Sequence, residues 1–475
     1  MSEMEEHPEL LDRKKKVLLP FFDLDFRSAQ KRVMDFREVT IPLDENRAKY
    51  EALRCINCPD PPCVGGCPVR NNIPLAMTLA SMGRFLDSGR VFRRTSNMPS
   101  VCGRVCPQEQ LCQGSCVLNH SGEPVLIGAV EAFVSDKLMK EEPVGTVTAE
   151  QSGKKVAVVG GGPAGLSCAE QLALKGHQVT VFDSNKEGGG LLLFGIPGFK
   201  LSPDIIHGIL HRIKSEGVQF QYETTIGVDK KIDDLLQEGF DAVFISVGAG
   251  LVSPIKIAGE GLPGVYHATE FLLRANVDFE LLPEHMRSMP DVGENVIVIG
   301  GGDTSSDCVR TAKRLGAKHV TCVYRRSEDE MPGVTKDRKL AREEGVEYLF
   351  LAQPIEFHAK PDGTLGEAEF IQMELSIKDA GGRRLPVPMD NSNFRIPADT
   401  VILAIGYQPW PTIGDTTPDL ETHHWGLITV DENYATSRKG VFAAGDAAHG
   451  PDLVVTAIAS ARKAAESIDR YLKGQ

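Results

Sequence analysis

Eight of the eleven cysteines lie between Cys55 and Cys116, in two runs that each set a proline directly behind a cysteine. The first reads Cys55-x2-Cys58-x4-Cys63-x3-Cys67-Pro68 and the second Cys102-x3-Cys106-Pro107-x4-Cys112-x3-Cys116. Thiolates this close together can wrap one side of an iron–sulfur cube, and a terminal Cys-Pro is a feature of bacterial ferredoxins, whose last cysteine in a run serves the other cluster. A dense set of cysteines would also suit a disulfide framework in a small secreted protein. Against that, the start MSEMEEHPELLDRKKK is acidic and has no apolar stretch of the kind a signal peptide carries. Zinc sites favour paired C-x2-C knuckles, and only Cys55 and Cys58 form one. The spacing therefore points to iron–sulfur clusters and to a protein that carries electrons.

The elements that must position these thiols are legible in outline. A chain of 475 residues has room for about three domains, each with its own core. The net charge of −13 argues against nucleic acid as a partner. No apolar run approaches the ~18 residues of a spanning helix, so the expectation is a soluble, cytoplasmic chain with no membrane contact. The basic tetrad Arg13 to Lys16 reads as a solvated helix end. Helical patterns at 73–80 and 127–139 interleave with the cysteine runs, and a polar, Pro- and Gly-containing stretch at 141–153 reads as a linker. Beyond it, apolar strands alternate with helices as in a parallel-sheet α/β protein.

Two of those stretches are near-copies: KVAVVGGGPAGLSCAEQLALKGHQVTVFD from Lys155 and NVIVIGGGDTSSDCVRTAKRLGAKHVTCVYRR from Asn295. Each is a strand, a glycine turn, a helix and a second strand, the pattern of a dinucleotide fold. Cys168 and Cys308, each eight residues past the first turn glycine, read as small packing groups. In the first copy Gly160, Gly162 and Gly165 suit a pyrophosphate at a helix N-terminus, and Asp183 at the second strand's end suits a bare ribose diol. In the second, Gly300 and Gly302 keep the turn, Ser305 replaces the third glycine, and Arg325-Arg326 stands where the acid would be. Two guanidiniums there favour the extra phosphate of NADPH; the alternative is a solvated pair answered by Glu328, Asp329 and Glu330. Near the C-terminus, Gly445-Asp446 ends a strand ahead of a helix beginning near Leu453, an arrangement that can put a carboxylate on a ribityl hydroxyl and a helix N-terminus by a flavin carbonyl. With Gly188-Gly-Gly-Leu-Leu-Leu-Phe-Gly-Ile-Pro197, it implies FAD.

These motifs, together with EDEMPG, AREEGVE, AIGYQP and AAGDAAHGPDLVVTAIASARKAA, cover nearly the whole chain, which resembles the small (beta) subunits of NADPH-dependent glutamate synthases. The same module resembles the N-terminal half of dihydropyrimidine dehydrogenase and the large subunit of NADH-dependent ferredoxin:NADP oxidoreductase. The resemblance implies an α/β chain with an N-terminal α-helical domain for two [4Fe–4S] clusters (1–145), then two Rossmann-like domains, the NADPH-binding one (291–404) inserted in the FAD-binding one (146–290 and 405–475). It implies one cluster on Cys55, Cys58, Cys63 and Cys116, and another on Cys67, Cys106, Cys112 and a non-cysteine ligand at Glu131, with Cys102 spare; the alternative is a solvated Glu131 with Cys102 as the ligand. Flavin contacts fall on Gly160, Gly162, Pro163, Ala164, Gly165, Asp183, Gly190, Leu191, Gly195, Lys200, Gly445, Asp446, Thr456 and Ala457. NADPH contacts fall on Gly300, Gly302, Asp303, Thr304, Arg325 and Arg326.

No side chain is nominated as an acid or base, because hydride transfer needs position and electrostatics from the protein. No C-x-x-C stands between the two nucleotide folds, which argues against a disulfide relay, and Ser2 offers no N-terminal cysteine nucleophile. The expectation is a hetero-oligomer. Its partner is a large catalytic subunit with FMN and an amidotransferase domain, or another electron-accepting subunit of the transhydrogenase or sulfide dehydrogenase type. A non-catalytic assembly subunit is a more remote reading.

Overall fold

The structure, a computed structural model, describes residues 12–120, 122–142, 149–378, 382 and 384–474. Its N-terminal part is helical. Helix α1 (Arg13–Val17) is capped by Asp12, whose side chain accepts from the Lys15 amide. The helices Glu45–Leu53, Ile73–Ser81 and Phe85–Arg93 follow, then α2 (Pro99–Val105) and α3 (Ile127–Glu141). Proline at its start and a cysteine at its C-cap define α2, which places Cys102 inside the helix and Cys106 just beyond it. The two helices touch through small residues: a Cβ at Gly103 would lie 2.6 Å from the Gly128 carbonyl oxygen of α3. That approach carries the second cysteine run up to Glu131. The linker expected at 141–153 begins where α3 ends; its residues 143–148 lie outside the described residues.

The first nucleotide fold opens with β1 (Lys155–Val159), α4 (Pro163–Leu174) and β2 (Gln178–Phe182), then adds β3 (Gln219–Gln221) and β4 (Ala242–Ile245). The second fold is built on β5 (Val265–His267), β6 (Asn295–Ile299), α5 (Asp303–Arg314), β7 (His319–Tyr324), α6 (Thr335–Glu343), β8 (Val346–Phe350) and β9 (Thr400–Leu403). The chain then returns to the first with β10 (Val441–Ala443) and the long α7 (Val454–Leu472). Both sheets are parallel, with strand order β10-β4-β1-β2-β3 in one and β5-β9-β6-β7-β8 in the other. The near-copies therefore do form equivalent strand–turn–helix–strand units, and Cys168 and Cys308 are both fully buried in their helices. The chain crosses between the lobes twice, at Leu251–Val252 and Tyr407–Gln408, which pair antiparallel. Among the described residues no helix is long and apolar enough to cross a membrane.

The boundary expected at 291 is moved by one strand. β5 pairs in register with β9, Val265 opposite Val401, so the second lobe starts near 265. A three-residue strand following Pro263-Gly264 is too short to show a period-2 pattern, and nothing in its composition separates it from the lobe before it.

Apolar packing joins the helical part to the first lobe: Met77, Phe92 and Val130 belong to the same continuous core as Leu166, Val181 and Ile458. The second lobe has its own core around Val298, Cys308 and Ile402, and it is fastened to the rest by buried charge. Glu344, whose side chain has no solvent exposure, accepts from Arg310 and Arg314 of α5 and from Arg32 of the N-terminal segment at 2.8–3.0 Å. Arg32 also reaches Glu343 and the Leu340 carbonyl. The Phe199 ring lies under the Arg310 and Arg314 guanidiniums, 4.8 and 3.9 Å from its centroid, and Lys200 next to it pairs with Asp307 and Asp337, each at 2.9 Å. Breaking a buried pair from one side leaves uncompensated charge, a loss of about 3–5 kcal/mol. Glu344→Ala, which strands three guanidiniums, is expected to lower the urea midpoint of the second lobe by that much free energy, read by circular dichroism. An unchanged midpoint would mean that the cluster of charge is solvated and holds nothing.

Candidate functional site

The fold sorts the eight clustered cysteines into two small cavities. Cys55, Cys58, Cys63 and Cys116 line the first, whose other walls are Ile56, Pro61, Pro62, Met77 and further apolar side chains. Cys67, Cys102, Cys106 and Cys112 line the second, together with Glu131, Asn71 and Gln108. Each run thus gives one thiol to the other's neighbourhood: Cys116 comes back to the first, and Cys67 crosses to the second. Ile73 and Ile127 line both cavities, so the two share a wall. Burial, and then the charges of Cys55, Cys116 and Cys58, push the Cys63 thiol up to about 12. In the second cavity burial drives Glu131 well above the ordinary carboxylate range, and burial followed by the Glu131 charge does the same for Cys112. No lysine or arginine lines either cavity. Soft thiol donors packed together in an apolar shell with no cation among them fit a thiolate-ligated metal cluster, which supplies the missing positive charge.

The second cavity holds five candidate ligands for four places. Cys102 is buried, with its Sγ 3.6 Å from the Ser96 hydroxyl. Glu131, equally buried, accepts from Asn71 Nδ2 at 3.2 Å, and Asn71 in turn accepts from Thr95. Asn71 therefore orients the carboxylate, a positioning role that its sequence context, one polar residue among several after Pro68, gives no means of spotting. The alternatives left open by the spacing stay side by side in space.

The expected flavin residues converge from four segments. The turn Gly160–Gly165 runs into α4, and Gly190 closes on it so tightly that a Cβ at Gly190 would stand 2.7 Å from Gly162 Cα, in a residue that already has φ +52°. A Cβ at Gly445 would stand 2.9 Å from Ala164 Cβ and 3.7 Å from Ala457 Cβ. The start of α7, with Thr456 and Ala457, therefore closes the far side. Leu191 remains substantially exposed beside Gly190, as an apolar platform would be. Gly195 donates its amide back to the Leu191 carbonyl, fixing that turn. Asp183 accepts from the Gly161 amide at 2.6 Å and from Asn185, so this carboxylate holds the turn. Asp446 opens a short helix after Gly445, and burial pushes its carboxyl up to about 6. A glycine-lined cradle between two helix N-termini fits an anionic dinucleotide.

Lys200, expected among the flavin contacts, reaches across to the second lobe. Its ammonium pairs with Asp307 and Asp337 of the second lobe, whose charges hold it above its usual value against the burial that lowers it. Around the second turn, a Cβ at Gly302 would meet nothing within 4 Å, which leaves room for a pyrophosphate, and Thr304 sits in the first turn of α5. The Asp303 carboxylate accepts from the Val334 amide at 2.8 Å, and Gly333 donates to the Gly301 carbonyl, so the 331–334 loop rests on the turn. The two arginines at the end of β7 are not equivalent. Arg325 is exposed, whereas Arg326 is buried with Nε donating to the Arg384 carbonyl at 2.8 Å. Of the three acids that could answer them, Glu328 pairs with Arg342 and Glu330 with Arg384.

The basic tetrad is likewise not simply solvated. Arg13 donates to the Asn57 carbonyl at 2.6 Å and Lys16 to the Cys55 carbonyl at 3.1 Å, so α1 lies on the loop of the first C-x2-C. Arg32 stands near no motif, and Glu344 lies in the AREEGVE stretch, whose sequence does not show that its second glutamate is buried among arginines.

Comparison with known proteins agrees with this division. Residues 154–461 match the family described as pyridine nucleotide-disulphide oxidoreductase, and residues 32–143 match dihydropyrimidine dehydrogenase domain II, 4Fe-4S cluster. The glutamate synthase [NADPH] small chain of Escherichia coli is 41% identical over 453 residues, covering 93% of this chain and 95% of that one. The NADP(+)-dependent formate dehydrogenase subunit beta of Moorella thermoacetica is 37% identical over 437 residues, covering 87% of this chain and 60% of that one. Among solved structures, Mycobacterium tuberculosis FprA in complex with NADPH superposes with a TM-score of 0.57 at 19% identity over 68% of this chain and 85% of that one, a likeness of fold. The cysteine domain and the two nucleotide folds thus occur together, at nearly full length, in one known kind of protein: the chain belongs to the family of NADPH-dependent glutamate synthase small chains, oxidoreductases of the pyridine nucleotide-disulphide class.

Proposed function

We propose that the chain is an electron-input subunit, which oxidises NADPH on its second lobe and delivers the electrons to a partner through its N-terminal domain. When bound, FAD would convert a hydride into single electrons, and two [4Fe–4S] clusters would relay them one at a time. The observation that carries the reading is the continuity of the sites. Val455, next to Thr456 and Ala457 at the flavin cradle, lines the second cysteine cavity, and that cavity shares Ile73 and Ile127 with the first. Gly302 and Thr304 would seat the nucleotide's phosphates, Arg325 would take the 2′-phosphate, and Arg326 would hold the strand end in place. Asp183 and Asp446 would orient the flavin's ribose and ribityl groups. The first cavity would be held by Cys55, Cys58, Cys63 and Cys116, the second by Cys67, Cys106, Cys112 and Glu131.

The partner we favour is a large subunit carrying FMN and an amidotransferase domain, where glutamate is made from glutamine and 2-oxoglutarate, in a cytoplasmic hetero-oligomer. Eleven unpaired cysteines suit a reducing compartment. The similarity to a formate dehydrogenase subunit supports a second reading in which the same module serves another catalytic subunit.

Protein purified without oxygen is expected to contain two four-iron clusters and one FAD per chain; a colourless zinc protein would end the electron-transfer reading. Losing a charge-assisted bond costs about 1.5–3 kcal/mol, or roughly ten- to a hundredfold in affinity. Arg325→Ala is therefore expected to raise the KM for NADPH by that factor and leave NADH unchanged, whereas Arg326→Ala lowers stability. Equal losses for both nucleotides would contradict the assignment of Arg325. For the eighth ligand, Glu131→Ala is expected to alter the EPR signal of one cluster while Cys102→Ala leaves both intact, and the opposite pattern assigns the place to Cys102.

A further inference from the structure

The cations of α1 touch the cysteine domain through backbone carbonyls, with no acidic side chain bonded to them among the described residues. Lys16 Nζ donates to the Cys55 carbonyl at 3.1 Å, and Arg13 donates to the Asn57 carbonyl at 2.6 Å, two residues along the same loop. That loop is fixed from its other side. Asn57 has φ +51°, and its Oδ1 accepts from the Thr78 hydroxyl at 3.2 Å while lying 3.8 Å from Cys55 Sγ. Lys16 is half-buried against the loop, in contrast to Lys14 and Lys15, which are exposed on the same short helix. The helix lacks a buried residue of its own, the first buried apolar side chain being Leu19 just beyond its end.

We propose that Lys16, assisted by Arg13, is a tuning residue for the redox centre of the first cavity, holding its reduction potential above that of the centre in the second. This rests on the proposed presence of a four-iron cluster there. Such a cluster with four thiolate ligands gains one further negative charge when it takes up an electron, so a fixed cation close to one ligand's backbone stabilises the reduced form more than the oxidised one. The second cavity has no such contact: among the described residues no lysine or arginine side chain is hydrogen-bonded to the backbone of Cys67, Cys102, Cys106 or Cys112, and the neutral amide of Gln108 takes the Cys102 carbonyl instead. A cation bonded to the loop of one site and none bonded to the other bias a shared electron toward the first cavity, away from the flavin cradle and toward the protein's surface, where Cys55, Cys58 and Cys116 are only partly buried. A charge that sits at the low-dielectric edge of the site, not free in water, is the kind whose influence salt screens least.

The test is an EPR-monitored redox titration of the full chain, comparing Lys16→Met, Lys16→Arg and the exposed control Lys14→Met, with iron, sulfide and flavin measured on each. Lys16→Met is expected to lower the midpoint of one cluster alone, by an amount equal to about a tenfold fall in its reduced-to-oxidised ratio at fixed potential, 59 mV for a one-electron couple. Lys16→Arg and Lys14→Met are expected to stay at the parent value, and the rate at which NADPH bleaches the flavin is expected to be unchanged. An unmoved midpoint in Lys16→Met, or equal shifts in both clusters, would overturn the proposal. Loss of iron from Lys16→Met would also overturn it, by making the ammonium a clamp on the loop. Absence of a four-iron signal in the parent protein would instead refute the cluster reading beneath it.

Discussion

A single buried carboxylate organises the assembly of parts. Glu344 stands at the end of α6 with guanidiniums from Arg310, Arg314 and Arg32 around it, and so ties the second lobe to a segment more than three hundred residues earlier in the chain. Beside it, Phe199 and Lys200 of the first lobe insert against α5 and α6. The start of α6 is held to the cysteine domain as well, because the Thr335 amide donates to Glu109 at 2.8 Å. Ionic contacts of this kind are directional and geometrically demanding, unlike apolar packing. They suit a molecule whose two nucleotide folds must face each other at a set distance, since hydride transfer requires reacting atoms nearly in contact.

The cysteine domain is fixed differently, by topology. Cys116 leaves the second run to complete the first cavity, and Cys67 leaves the first run to join the second. Loading either cavity therefore cross-links segments some fifty residues apart in sequence, which restricts the unfolded chain and couples metal binding to folding. The close contact of α2 and α3 at Gly103 and Gly128 prepares the arrangement without metal, and the core shared with the first lobe anchors it beside α7.

How much of this the chain discloses depends on whether a signal is local. The glycine turns, the Cys-Pro runs and the Gly445-Asp446 strand end are local: each needs a residue type at a short fixed spacing, and each sits where its spacing implies. The Arg325-Arg326 pair is half legible, because composition shows two cations and only packing shows that Arg326 is turned inward onto the Arg384 carbonyl. The ion pairs of Lys200 are hidden for the same reason, its partners Asp307 and Asp337 lying more than a hundred residues away. Arg32, Glu344 and Asn71 act through partners distant in sequence, so no periodicity betrays their roles, and the AREEGVE stretch that contains Glu344 does not name its partners. The start of the second lobe at β5 was hidden by the brevity of the strand.

The claim on which the account turns is that electrons reach the cysteine domain only by way of the flavin cradle. Rapid mixing of the anaerobic protein with NADPH, followed by absorbance and by freeze-quenched EPR, tests it when the same protein stripped of FAD is run beside it. The account predicts that flavin absorbance falls first, that cluster signals rise afterwards, and that the stripped protein keeps its clusters oxidised. Reduction of the clusters by NADPH without FAD, or flavin bleaching that never reaches them, would contradict it.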